Sequence, residues 1–332
     1  MSEQEQRQIL YQKTKVVEPG NFEKIALKNF RYQAIYNPVY AQYISLLGVD
    51  IQAVKAVQQI PFLPIQLFKN HSIRTGEWKP YLTFTSSGTT AETTSSHFLR
   101  SADFYKQNAR RGFQQFYGDI SNYCVLALLP SYLERTGSSL IFMAQDFIEQ
   151  SKYEKSGFFL DDLHKLVAIL KELSEQKIPV LLLGVSFALL DLAEQFSLDL
   201  SSTIVMETGG MKGRRKEMTR QELHEILKNA FHVDAIHSEY GMTELFSQAY
   251  SKGNGLFFPA HTMRVYTREI TDPFQFQQKG KAGAVNIIDL ANLDTCSFIA
   301  TDDLGRVFED GSFEILGRLD ASDIRGCNLL VS

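Results

Sequence analysis

Residues able to do chemistry gather in a few short stretches. Positions 82–96 read LTFTSSGTTAETTSS, where Leu82, Thr83 and Phe84 have the look of a strand and Thr85, Ser86, Ser87, Thr89 and Thr90 set hydroxyls around Gly88. A glycine there permits positive φ and a close backbone approach to an anion, and successive N–H groups in such a turn form an anion-binding nest. No Gly-Lys-Ser/Thr ends the stretch, so it is not a P-loop, and its composition equally suits a flexible Ser/Thr-rich loop. A second stretch, 237–244, reads HSEYGMTE. Tyr240 offers a ring for stacking on a base, Thr243 a hydroxyl for phosphate, and Glu244 a carboxylate for the Mg²⁺ that accompanies nucleotides; an ordinary strand-to-helix turn with Glu244 on the surface accounts for the same letters. A third couples Gly209 and Gly210, whose bare backbone suits a planar ligand, to Lys212, Arg214, Arg215 and Lys216, which either contact phosphate or stand in solvent. Asp302-Asp303-Leu304-Gly305 and Gly317-Arg318-Leu319-Asp320 each pass for a turn when taken alone, and Lys69 in LFKN reads as solvated.

The elements around these stretches follow from periodicity. Positions 1–60 are helix-leaning, rich in Gln, Tyr and Asn, and carry no chemical motif, as expected of a helical amino-terminal cap. Pro61 and Pro64 then impose an extended segment, because each fixes φ and turns its predecessor away from the helical region. Ser101 caps a predicted helix bearing Phe104, Ala109, Phe113 and Phe116. The apolar runs 123–130, 179–183 and 203–207 read as buried parallel strands. Between them, a helix beginning at Asp161 or Asp162 buries Leu163, Leu166, Val167, Leu170 and Leu173, and another covers 187–196. Thr219 and Glu222 form a capping box for a helix with Leu223, Ile226, Leu227, Ala230 and Phe231 inward, and 233–236 reads as a short strand feeding the HSEYGMTE stretch. This β-α-β order predicts an α/β fold of largely parallel sheets flanked by helices, with ligands at the carboxyl ends of the strands. Segments 263–267, 284–289, 297–301 and 313–316, separated by Gly, Asp and Asn, predict a smaller β-rich subdomain. The expected division is 1–60 for the cap, 61–260 for the α/β core and 261–332 for the β-rich part.

Length and composition are compatible with that plan. The chain has 332 residues, 44% of them hydrophobic and 22% charged, enough to bury a sizeable core and unlike a disordered protein. A net charge of −4 argues against a dedicated nucleic-acid binder and points to small molecules or proteins as partners. Cys124, Cys296 and Cys327 are widely spaced and show neither a redox pair nor a metal spacing, which fits a reducing compartment. The amino end lacks the apolar run of a signal peptide. The densest apolar stretch, 178–190, is interrupted by Pro179, Gly184 and Ser186 and is shorter than the roughly 18 residues of a membrane helix. A cytoplasmic protein with no membrane span is the expectation.

In their order, TSSGTT at 85–90, SEYGMTE at 238–244, TDDLG at 301–305 and GRLDASDIRG at 317–326 resemble the adenylate-forming superfamily, including acyl-CoA ligases and phenylacetate-CoA ligase, over about residues 60–326. The resemblance implies an adenylate-forming amino-terminal-domain fold with ATP and Mg²⁺ as cofactors. Ser86, Ser87, Gly88, Thr89 and Thr90 would hold the β- and γ-phosphates. Tyr240 and Gly241 would lie along adenine, flanked by Gly209 and Gly210. Thr243 would reach the α-phosphate, Glu244 the Mg²⁺, Asp303 the ribose hydroxyls, and Arg318 ribose or phosphate. The family's Gly-x-Pro-Lys is replaced by Ala91, Glu92, Thr93 and Thr94, which removes the expected loop lysine. The mobile carboxyl-terminal domain of the acyl-CoA ligases is expected to be absent.

Within the superfamily the chain resembles the acyl-protein synthetases of bacterial luminescence, the LuxE type, through IPFLPIQLFK at 60–69, TSSGTT in place of TSGTTG, and the IRGCNLL ending. That resemblance implies fatty-acid activation as an acyl-adenylate, capture of the acyl group by Cys327, and delivery to an acyl-accepting protein, a reductase. Arg325 stands two residues away and would lower the Cys327 pKa; a lone cysteine also reads as a small buried hydrophobe. Two other readings stay open: adenylation with delivery to a carrier protein or coenzyme A, and a nucleotide-binding or scaffold protein whose site has decayed.

Overall fold

The computed structural model describes residues 1–86, 94–130, 137–160, 162–209 and 218–319. They form two compact units, one made of 1–77 with the segment from 262 onward, the other of 78–261. The division read from sequence differs on the amino-terminal side, since the helical segment folds together with the β-rich part.

The first unit begins with α1 (Glu3–Lys15), held at its start by a capping box of Ser2 and Glu5. It continues through α2 (Phe22–Tyr36) and α3 (Pro38–Leu46), where Asn37 accepts from the Tyr40 N–H and Pro38 fills the first helical turn. The Pro61–Pro64 segment supplies β1 (Leu63–Pro64), followed by the single turn α4 (Leu67–Asn70). Lys69 is exposed there, as its solvated reading requires.

The second unit opens with the antiparallel hairpin β2 (Leu82–Thr85) and β3 (Ser96–Leu99). After α5 (Ala102–Tyr117), capped by Ser101, strands and helices alternate. They are β4 (Cys124–Leu128), α6 (Ser139–Gln150), β5 (Gly157–Phe159), α7 (Leu163–Glu175), β6 (Val180–Val185), α8 (Ser186–Gln195), β7 (Thr203–Thr208), α9 (Arg220–Phe231) and β8 (His237–Tyr240). Short strands β9 (Ala249–Ser251) and β10 (Phe258–Pro259) close the order. The seven-stranded sheet runs β10-β9-β8-β7-β6-β4-β5, with β4 to β8 parallel and β9 and β10 antiparallel. Every residue of β4 and β6 is buried, the pattern of central strands covered on both faces. Asp162 caps α7, whose Leu166, Val167, Leu170 and Leu173 are buried while Leu163 is only partly so. One strand falls later than its sequence reading: 233–236 is irregular, and His237–Tyr240 makes the ladder with Met206, Glu207 and Thr208.

The chain then returns to the first unit with β11 (Met263–Arg268), β12 (Ala282–Asp289), β13 (Phe298–Val307) and β14 (Phe313–Arg318). They form a sheet ordered β1-β13-β12-β11, with β14 also paired to β13. The TDDLG stretch and Gly317-Arg318, turn-like by composition, are strand. A register shift between Leu304 and Gly305 lets β13 continue through them opposite β14.

What binds the helices to this sheet is a row of buried amides. Asn29 and Gln33, one helical turn apart on α2, and Asn37 just past its end are fully buried. The Asn29 amide donates to the Ser297 hydroxyl at 3.3 Å. Gln33 donates to the carbonyls of Asn292 and Leu293 at 2.9 and 3.0 Å and accepts the Ser297 N–H at 2.9 Å. Asn37 donates to the Thr295 carbonyl at 2.9 Å. The irregular segment between β12 and β13 would otherwise bury backbone groups that no ladder satisfies. Arg7 adds a two-pronged pair to Asp294 at 2.5 and 2.6 Å. Phe30, Tyr40 and Phe62 all pack on Phe298. Gln33→Leu keeps the apolar stem but strands these buried backbone groups, so it is expected to lower unfolding stability by about 2–3 kcal/mol. Urea denaturation checks this, and a loss below about 0.5 kcal/mol would contradict the bracing role.

Candidate functional site

Within the second unit the parallel register brings the ends of β7 and β8 side by side. Thr208 pairs with Glu239, so the backbone leaving at Gly209 lies next to that leaving at Tyr240 and Gly241. Gly209 has φ +72°, a left-handed conformation that costs glycine nothing. Gly241 meets a different constraint: a Cβ there would lie 2.5 Å from Glu239 Oε1. The Tyr240 ring is partly exposed and tilted against Phe257, with centroids 5.9 Å apart.

Two carboxylates that the sequence reading passed over organise this edge. Glu207 is 3% exposed. The Ser186 hydroxyl, at the start of α8, reaches both Glu207 Oε2 at 3.2 Å and the Gly209 carbonyl at 3.1 Å. Arg220 Nε and His224 Nε2, from the first turns of α9, approach Glu207 Oε1 at 3.4 and 3.5 Å. Burial by itself would push the Glu207 pKa up; the His224 hydrogen bond, the Arg220 guanidinium and Ser238 outweigh it and hold the carboxyl below its ordinary value. Glu239 shows the opposite balance. Its burial, opposed by the Thr208 hydroxyl at 2.5 Å and reinforced by the Glu207 charge, raises its pKa to about 7. Glycines followed by a basic segment drew attention to 209–216, whereas the inward-facing acid of TIVME carried no motif; its signal was a carboxylate in an otherwise apolar strand.

The hydroxyl stretch is the connection of the β2–β3 hairpin. Thr85 pairs with Ser96. Ser86 N–H donates to the Ser95 carbonyl at 3.1 Å, and Ser95 N–H donates to the Ser86 hydroxyl at 2.9 Å. Ser86 and Ser95 therefore extend the pairing of the two chains one step beyond Thr85 and Ser96. Ser87, Gly88, Thr89 and Thr90 lie outside the described residues, as do Gly210, the basic segment 212–216 and Cys327. Beyond β8, Thr243 is partly exposed, while Glu244 is buried at 7% exposure. Among the described residues no group of three or more His, Cys, Asp or Glu side chains gathers as a cation site. Mg²⁺ keeps several waters and takes further oxygens from substrate phosphates, so it needs few protein carboxylates.

In the first unit Asp303 and Arg318 face each other across β13 and β14, with Nε 3.2 Å from Oδ1. Asp303 is largely buried and Arg318 largely exposed, so the guanidinium holds the carboxylate while staying open to water. Asp303 N–H also donates to the Thr301 hydroxyl at 3.2 Å. The two remaining described sites of interest are thiols. Cys124 and Cys296 are buried, and burial raises both pKa values, that of Cys296 to about 12. Neither is a nucleophile in that state.

No family model matches the sequence, and no curated protein matches it. Solved structures do. ATP-bound MatB from Rhodopseudomonas palustris aligns at 17% identity and a TM-score of 0.54, over 73% of this chain and 49% of that one. 2-Hydroxyisobutyryl-CoA ligase in complex with 2-HIB-AMP and CoA, in the thioesterification state, aligns at 12% identity and a TM-score of 0.68, over 93% and 71%. An open conformation of that ligase with the same ligands gives 13% identity and 0.66, over 92% and 72%. The chain spans about half the length of the MatB structures it matches. This likeness establishes the fold: an α/β architecture with a parallel sheet and flanking helices, shared with these solved structures. No helix among the described residues is long and apolar enough to cross a membrane.

The opposed carboxylates give a pH test. The Glu239 pKa is raised from 4.5 to about 7, so the unfolded chain binds fewer protons between those values and the Glu239 contribution to stability is lost as pH rises through about 7. His97 and His237, both lowered to about 4, act in the reverse sense as pH falls from 6.5. The stability difference between Glu239→Gln and wild type is therefore expected to move in favour of the variant from pH 5 to pH 8. Thermal or urea unfolding at both pH values measures it, and a difference independent of pH would contradict the burial assigned to Glu239.

Proposed function

We propose that the chain is an ATP-dependent acid–thiol ligase of the acyl-protein synthetase type, which activates a carboxylic acid, a fatty acid, as its acyl-adenylate and transfers the acyl group to a protein thiol. The observation that carries the reading is the convergence of Gly209, Tyr240 and Gly241 at adjacent parallel strand ends, in a fold shared with ligases solved with ATP and with an acyl-AMP. A carboxylate is a poor electrophile. In the proposed reaction its oxygen attacks the α-phosphorus, the bond to the β-phosphate breaks, and pyrophosphate leaves. Mg²⁺, when bound, would neutralise charge on the phosphate oxygens.

The chain's own residues then have separable tasks. Ser86 and the hydroxyls through Thr90, with the N–H groups around Gly88, hold the β- and γ-phosphates. Gly209 and Gly210 leave room for adenine beside Tyr240 and Gly241, Thr243 bonds the α-phosphate, and Glu244 holds Mg²⁺. Asp303 bonds the ribose hydroxyls, and Arg318 reaches ribose or phosphate. In the second half-reaction a thiolate attacks the acyl carbon, the C–O bond to AMP breaks, and a thioester forms while AMP departs. Burial of Cys124 and Cys296 supports Cys327 as that thiol. The acyl group passes from Cys327 to an acyl-accepting protein, a reductase.

A second reading keeps adenylation and sends the acyl group to coenzyme A or a carrier protein, and the CoA complexes of 2-hydroxyisobutyryl-CoA ligase favour weighing it. Intact-protein and peptide mass spectrometry after incubation with ATP, Mg²⁺ and a labelled fatty acid separates the two. An acyl adduct on Cys327, removed by hydroxylamine and absent in Cys327→Ala, is expected. An unmodified chain that still releases pyrophosphate would move the acceptor to coenzyme A or a carrier. Glu244→Gln is expected to slow adduct formation by about 10²–10³-fold, the scale of removing one preorganised charge-stabilising group; an unchanged rate would contradict its assignment.

A further inference from the structure

We infer that His97 is a positioning residue for nucleotide activation, the brace through which the β2–β3 hairpin sets the place of the Thr243–Glu244 turn; the inference rests on the adenylation reading above. His97 lies on β3, directly opposite Phe84 of β2, and both side chains are fully buried. Opposed residues of an antiparallel pair project from the same face. On that face the imidazole stacks on Phe246 with centroids 4.4 Å apart and planes at 24°, and Phe84 meets the edge of the same ring at 6.3 Å. Tyr105 of α5 approaches Phe246 edge-on at 5.4 Å. Phe246 is thus clamped three residues beyond Thr243.

The turn after Tyr240 is closed by the Leu245 N–H donating to the Met242 carbonyl at 3.1 Å, and the Phe246 carbonyl accepts from the Asn108 amide at 2.9 Å; His97 adds a polar contact at Thr243 itself. His97 Nδ1 lies 2.8 Å from the Thr243 carbonyl oxygen. A carbonyl only accepts, so Nδ1 carries the proton and donates. Burial lowers the His97 pKa to about 4, which keeps the ring neutral at ordinary pH, so the bond needs no counter-charge. Two residues before His97 and just ahead of β3, the Ser95 N–H donates to the Ser86 hydroxyl. Ser86 and the Thr243 turn are therefore both tied to the chain around β3, at Ser95 and at His97. The His97 donor thus links the β2–β3 hairpin to a turn more than a hundred residues away in sequence. Supporting bonds of this kind orient the groups that touch a ligand without touching it themselves.

The test separates the donor from the ring. His97→Phe keeps an aromatic stack on Phe246 and deletes the donor, whereas His97→Asn places an amide N–H near the Nδ1 position. With wild type, acid-dependent ATP–pyrophosphate exchange is read together with amide hydrogen exchange of residues 241–246. For His97→Phe, kcat is expected to fall about 10–100-fold, the usual cost of losing a supporting hydrogen bond, with the acid KM unchanged and amide exchange at 241–246 accelerated. His97→Asn is expected to recover most of both. Equal impairment of the two variants, or unchanged kcat in His97→Phe beside an active wild type, would overturn the brace. A wild type inert with every acid would overturn the adenylation reading instead, and the amide exchange of His97→Phe would still decide whether the donor holds the turn: unaccelerated exchange would refute it.

Discussion

Parallel pairing of β7 with β8 is the constraint from which the candidate site follows. Once Met206, Glu207 and Thr208 stand opposite His237, Ser238 and Glu239, the two chains must leave the sheet as neighbours, and whatever follows each strand becomes one surface. That pairing is demanding, because it puts two carboxylates on adjacent buried strands. Glu207 is stabilised as an anion by groups from the first turns of α8 and α9. Glu239 is held in the low-dielectric interior by a single hydroxyl and leans towards the neutral form. The helices are thereby tied to the strand ends by polar contacts as well as by apolar packing.

The same economy of contacts is seen in the first unit. Three amides of α2 and its cap, with Arg7 from α1, satisfy the irregular 290–297 segment. These helices are thus part of the sheet's own core. The cross-strand Asp303–Arg318 pair then stands on a sheet whose far side is secured.

Legibility from sequence tracked the range of the interaction. Local signals were read correctly: Ser101, Asp162 and Thr219 cap α5, α7 and α9, and the apolar runs became β4, β6 and β7. Parallel order of the sheet followed from their alternation with helices. Three features depended on partners distant in the chain and gave no local pattern. The Gln- and Asn-rich amino-terminal segment carried no motif, yet Asn29 and Gln33 of α2 pair with carbonyls some 260 residues on. Asp and Gly at 302–305 imitated a turn, because composition cannot distinguish a turn from a strand that carries an irregular step. His97 was invisible as a site residue, although its alternation with Leu99 in β3 marked it as inward-facing.

The chemical account rests on activation of a carboxylate at the expense of ATP, before any question of where the acyl group goes. Isotope exchange between pyrophosphate and ATP reports that first step alone and needs neither acceptor nor thiol. Screened across short, medium and long-chain acids with Mg²⁺ present, the purified chain is predicted to exchange label only when an acid is supplied, with the fatty acids most effective. Exchange absent with every acid, or equally fast with none, would contradict the assignment.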